Sequence, residues 1–145
     1  MKPSAAGVPA LDDYEHAAAL REALRRFARQ SEDVTRRHGL TTRGYTLLLM
    51  IKTGREIDGG ATPDELELRL QLAKSTIAEL VQRAVDGGLV RRELHPSRRG
   101  AIRVRLTPKG GRRLERAFAE LQGEREHLRE LLEAINRPQQ RVRAT

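Results

Sequence analysis

The chain has no cysteine and no tryptophan, and only two tyrosines and two phenylalanines among its 145 residues. The lack of cysteine excludes disulfides, thiol nucleophiles, thiol redox sensing and Cys-ligated metals. The few aromatics, Tyr14, Phe27, Tyr45 and Phe118, all fall at expected core positions. None is then left to stack on unpaired bases, which disfavours single-stranded RNA as a partner. The histidines His16, His38, His95 and His127 do not pair at ligand spacing, so each reads as a surface or cap residue and no metal is expected. No glycine-rich phosphate cradle or nucleophile elbow is present, so neither an enzyme nor a cofactor is expected. No apolar run reaches spanning length, and the start, MKPSAAGVPA, has no signal-peptide core. The expectation is a cytoplasmic protein with no membrane partner. Lysine is scarce too: Lys2, Lys52, Lys74 and Lys109 are the only ones. The net charge of +8 therefore comes mainly from arginine, whose planar fork of donors suits phosphate and guanine. A pI of about 10.9 lies in the range of nucleic-acid binders.

What is present centres on residues 62–107. Thr62 is an expected helix N-cap, with Pro63 at the first helical position and Glu65 placed to close a capping box. Leu66 and Leu70 share one face, and Gln71-Leu72-Ala73 breaks the helix. A second helix has Ile77, Leu80, Val81 and Ala84 on one face and Lys74, Ser75, Thr76, Glu79, Gln82 and Arg83 on the other, and Gly87-Gly88 stops it. Two alternating runs, 89–94 and 101–106, then predict a hairpin with Arg103 and Arg105 facing away from the core. Its tip, residues 95–100, carries Arg98 and Arg99. A helix pair followed by a basic hairpin is a winged helix-turn-helix. The second helix fits a major groove, where polar side chains reach base edges, and a basic loop beside it reaches phosphate.

The flanks are helical. Residues 1–10 are expected to be a disordered arm. Residues 11–38 form a long helix with Tyr14, Ala17, Leu20, Leu24, Phe27, Ser31 and Val34 along a near-heptad stripe. The lobe at 39–106 opens on a helix capped by Thr41, with Leu40 and Tyr45 as a hydrophobic staple and an apolar run over 47–51 at the core centre. Asp58-Gly59-Gly60 signals a turn. Residues 107–136 predict helices over 108–121 and 124–136, or one helix kinked at Gly123, with Leu128, Leu131, Leu132 and Ile135 as an apolar seam. Both flanking seams are candidates for helical dimerisation. Residues 137–145 are a basic tail. The fold expected is mainly α with a small β-hairpin.

Over residues 40–110 the chain resembles the MarR family of bacterial transcriptional regulators. The resemblance rests on Leu40, Thr41 and Tyr45, on Glu65-Leu66, Leu70 and Leu72, on Ser75-Thr76-Ile77 and Leu80-Val81, and on Gly88-Leu89-Val90, Val104, Leu106-Thr107 and Gly110. It implies a homodimer joined through the N- and C-terminal helices, residues 74–86 as recognition helix and 95–100 as wing tip. It also implies double-stranded DNA with a pseudo-palindromic operator as partner, and a repressor released by a small aromatic or carboxylate ligand. Lys74, Ser75, Thr76, Glu79, Gln82, Arg83, Arg98 and Arg99 are the DNA-facing candidates, and Tyr45 is the ligand-pocket candidate. The chain departs from the family where Ala73 replaces the usual capping serine, Gln71 a small glycine, and Arg98 and Gly100 the usual wing Asp-x-Arg. A winged-helix module for protein or RNA contact is the alternative.

Overall fold

The computed structural model describes residues 7–57 and 59–137. Most of the N-terminal arm, Asp58 of the turn and the tail beyond Arg137 lie outside the described residues. The element order is α1 (Leu11–Arg37), α2 (Thr42–Lys52), α3 (Pro63–Leu70), α4 (Lys74–Asp86), β1 (Val90–Leu94), β2 (Ile102–Leu106), α5 (Pro108–Glu120) and α6 (Gln122–Asn136). Among the described residues, six helices and one antiparallel hairpin make the chain mainly helical, with winged-helix topology.

The described residues divide into two compact units, one within residues 32–121 and the other of residues 7–31 with 122–137. The first contains the core. Leu47, Leu48 and Ile51 of α2 are at most 1% exposed, because α2 touches α3, α4, α5 and β2. That is the all-round burial its apolar run implies. Leu66, Ile77, Val81, Ala84, Val104, Leu114 and Ala117 close around it. Local capping positions the helices. Thr41 Oγ1 accepts from Gly44 N–H at 2.9 Å, Thr62 Oγ1 from Glu65 N–H at 3.3 Å, and Thr107 Oγ1 from Gly110 N–H at 3.1 Å.

Two local expectations are corrected, and one further contact is added. Glu65 does not return a capping-box bond; its carboxylate accepts the Arg55 N–H at 3.0 Å and pairs with Arg69 at 3.7 Å, tying the α2–α3 loop to α3. The helix break falls at Leu121, and Gly123 lies inside the first turn of α6, because Leu121 is buried and caps α5 with its own N–H. The loop before Thr62 also ends in structure. Ala61 exchanges both backbone hydrogen bonds with Val104, at 3.0 and 2.8 Å, adding a one-residue third rung to the hairpin. Gly60 makes this possible: its φ is +90°, and a Cβ there would lie 2.5 Å from the Val104 oxygen. Gln71, by contrast, takes a left-handed conformation at φ 54° without being glycine, a strained turn into α4.

In the second unit, α6 buries no residue fully, and its seam of Leu128, Leu131, Leu132 and Ile135 is half-buried. The stripe on α1 is exposed over its first turns, with Leu11 at 72% and Tyr14 at 60%. The sequence pattern puts Tyr14 and Phe118 of α5 in the core, yet neither is covered within a single chain; Phe118 is 44% exposed.

Candidate nucleic-acid interface

Helix α4 presents its polar face outward because Ile77, Leu80, Val81 and Ala84 anchor the opposite face in the core. Lys74, Ser75, Glu79, Gln82 and Arg83 are exposed and Thr76 is half-buried. The N-cap Ala73 makes no side-chain hydrogen bond, and Ser75 does not substitute for it. The first-turn N–H groups of α4 are thus left for solvent or an anion, at the end where the helix dipole favours negative charge.

A cleft of about 450 Å³ runs between this face and the start of α2. Thr41, Thr42 and Arg43 line one wall and Thr76, Glu79 and Arg83 the other. Sequence reasoning misses Arg43 and the α2 N-terminus. The cap at Thr41 marks a helix start, but only the packing of α2 under α4 brings that start to the same surface. Arg36, also on the cleft, is held by Glu32 at 2.9 Å.

Gln82 is already engaged. Its amide donates to Asp86 Oδ1 at 2.8 Å, and its oxygen accepts from Arg92 of β1 at 2.9 Å. Reading a base with Gln82 requires exchanging these bonds, whereas Thr76 and Arg83 require no such exchange.

In the hairpin, Val90 pairs with Leu106, Arg92 with Val104 and Glu93 with Arg103. Glu93 gathers the strand arginines. It accepts from Arg91 Nε at 2.8 Å and Arg103 Nε at 3.1 Å, and pairs with Arg105 at 3.6 Å. Burial alone would raise the Glu93 carboxyl, but the Arg103 hydrogen bond and the charges of Arg91 and Arg105 outweigh it and hold it below its ordinary 4.5. The resulting stability is complete above pH 4.5 and is lost as the pH falls through the lowered value. Arg103, expected to face solvent, is 8% exposed because its cross-strand partner is this carboxylate.

The wing tip has a different organiser. His95, read from sequence as a surface or cap residue, has a side chain only 5% exposed. Its Nδ1 accepts the N–H groups of Ser97 at 3.1 Å and Arg98 at 3.0 Å. That fixes the proton on Nε2, which donates to Glu56 Oε2 at 2.8 Å on the α2–α3 loop. The ring thus shapes the turn that displays Arg98 and Arg99. Both are exposed, and neither has an ion-pair partner among the described residues. His95→Ala should leave two backbone donors and a carboxylate without their partner. The expected loss is about 1–3 kcal/mol, read as a lower urea midpoint, together with weaker duplex binding. An unchanged midpoint would show that the wing does not depend on this ring.

Tyr45, the ligand-pocket candidate, is 8% exposed within the core cluster of the lobe. No group of His, Asp and Glu able to hold a metal occurs among the described residues, and no described helix is long and apolar enough to cross a membrane.

Residues 38–100 match the MarR family. Among solved structures, the chain is similar to MarR family transcription regulator SP03579, with 26% identity over 81% of this chain and 75% of that one, at a TM-score of 0.70. It is similar in fold to AbsC, a MarR family regulator from Streptomyces coelicolor, with 20% identity over 90% and 94% of the two chains and a TM-score of 0.71. It is also similar in fold to a mutant MarR from E. coli complexed with operator DNA, with 17% identity over 89% and 100% and a TM-score of 0.67. No curated protein matches the sequence.

Proposed function

We propose that the chain is a transcription regulator of the MarR family, a reading supported by the match of residues 38–100 and by the likeness to MarR family regulator SP03579, and that it works as a homodimeric, operator-specific repressor released by a small ligand. The observation that carries the DNA reading is the outward polar face of α4, flanked on one side by the α2 N-terminus and accompanied by a wing tip with two unpaired arginines. Ser75, Thr76 and Arg83 read bases. Gln82 reads them after releasing Arg92, and Glu79 accepts from cytosine N4. Lys74, Arg98 and Arg99 contact phosphate. The α1 stripe and the α6 seam support the dimer, since both leave apolar side chains that a second copy would cover. Two-fold symmetry would place the recognition helices about 34–36 Å apart, matching half-sites one turn apart in a pseudo-palindrome.

For ligand release, the cleft between α2 and α4 combines Leu40 and Leu80 with Arg43 and Arg83, a fit for an aromatic carboxylate that would compete with phosphate at the same surface. Tyr45 serves in this scheme by fixing α2, one wall of that cleft.

Fluorescence anisotropy with the duplex upstream of the protein's own gene, a scrambled duplex and single-stranded RNA tests the function. Preference for the upstream duplex by a species that sediments as a dimer is expected. Equal affinity for RNA, or binding by a monomer, would move the reading to a contact module of another kind.

A further inference from the structure

A second cationic cleft, of about 470 Å³, lies at the other end of the recognition helix. Lys109, Arg112, Arg113 and Arg116 occupy positions i, i+3, i+4 and i+7 of α5 and therefore share one face. Arg37 and His38, at the end of α1, form the opposite wall. The cleft adjoins the end of α4, because Lys109 Nζ donates to the Gly87 carbonyl at 3.0 Å. A helix of 13 residues is about 20 Å long, so this site stands well away from Lys74 and the first turn of α4.

The internal acid does not neutralise the site. Glu120 accepts from His38 and pairs with Arg37 at 2.7 Å. The His38 hydrogen bond, working against partial burial and aided by Arg37, holds the Glu120 carboxyl below its ordinary range, so it is a committed anion at neutral pH. Arg112, Arg113 and Arg116 have no ion-pair partner among the described residues. Three guanidinium groups on one helical face repel one another, a cost that an anion between them removes. The lining includes no aliphatic side chain and His38 is its one ring, and Gly39 leaves the wall open beside Arg113, whose Nη1 would lie 3.7 Å from a Cβ there. Nothing in the cleft would hold an acyl chain; its guanidinium and ammonium groups suit closely spaced phosphate oxygens.

We propose that this cleft binds a chain of linked phosphate groups, supplied either by a free oligophosphate or by a DNA backbone crossing the α1–α5 face. The assignment does not depend on which residues of α4 read bases.

The test is titration of the full chain with tripolyphosphate at fixed ionic strength, followed by calorimetry. Arg112→Gln with Arg116→Gln is compared with Arg98→Gln with Arg99→Gln. Both pairs are surface changes, and matching thermal melts confirm that the fold is kept. Saturable binding of one tripolyphosphate per chain, weakened at least tenfold by the α5 pair and unchanged by the wing pair, establishes a free oligophosphate as ligand. If tripolyphosphate does not bind but the α5 pair weakens scrambled duplex and lowers the salt slope by about one for each phosphate no longer neutralised, the phosphates are those of DNA. The proposal is overturned if the α5 pair changes neither measurement, or if both pairs weaken tripolyphosphate equally, which would show only diffuse attraction to a basic surface.

Discussion

Gly110→Ala should destabilise the protein by about 3 kcal/mol or more, the upper part of the range for overpacking a tight contact. A Cβ at Gly110 would lie 1.9 Å from the Leu89 carbonyl oxygen and 2.8 Å from its carbon. These are backbone atoms, so no rotamer change relieves the clash. The same carbonyl accepts the Thr107 N–H at 3.0 Å, and Thr107 Oγ1 donates to the Gly88 oxygen at 2.5 Å. Moving α5 away would break this junction between the end of α4 and the start of α5, and would uncover Leu114 and Ala117. The neighbouring Gly111→Ala is the control. Nothing lies within 4 Å of a Cβ there, and alanine in a helix gains roughly 0.5–1 kcal/mol over glycine. Urea denaturation should therefore move in opposite directions for adjacent substitutions. Equal midpoints for the two variants would mean that α5 is not seated on Leu89.

The second large effect is on DNA affinity. Lys74, Arg98 and Arg99 give three phosphate-contacting cations per protomer, while Arg91, Arg103 and Arg105 are tied to Glu93 and do not count. The proposed dimer then neutralises about six phosphates, and log K should fall with log salt with a slope of roughly −5. Between about 50 and 200 mM salt, affinity for any duplex should drop by about 10³. A slope near zero would be incompatible with this arrangement of charge.

What the sequence made legible was local. Thr41 and Thr62 cap helices through bonds to residues three positions on, and the apolar spacing on α4 fixes which face is buried. Element bounds from such signals fall within one or two residues of those observed. What escaped was set by residues distant in the chain. The role of His95 depends on Glu56, 39 positions away. The burial of Arg103 depends on Glu93 across the hairpin, and the rung at Ala61 depends on Val104. Gln82 resembles its neighbours on the α4 face in sequence, but Arg92 engages it from β1. The contribution of Arg43 requires knowing that α2 packs beneath α4. Tyr14 and Phe118 carry the apolar pattern of core residues, yet one chain alone does not cover them.

In the proposed function, α4 reads sequence while the wing supplies charge. The most direct measurement of that division is the affinity of Thr76→Ala, Arg83→Ala, Arg98→Ala and Arg99→Ala for the upstream duplex and for a scrambled duplex at two salt concentrations. The α4 variants should lose about 1–3 kcal/mol on the upstream duplex, with a smaller loss on the scrambled one. The wing variants should weaken both duplexes alike and lower the salt slope by about one for each phosphate that the dimer no longer neutralises. If the wing variants affect only the upstream duplex while the α4 variants weaken both equally, the two roles are reversed and the proposed division is contradicted.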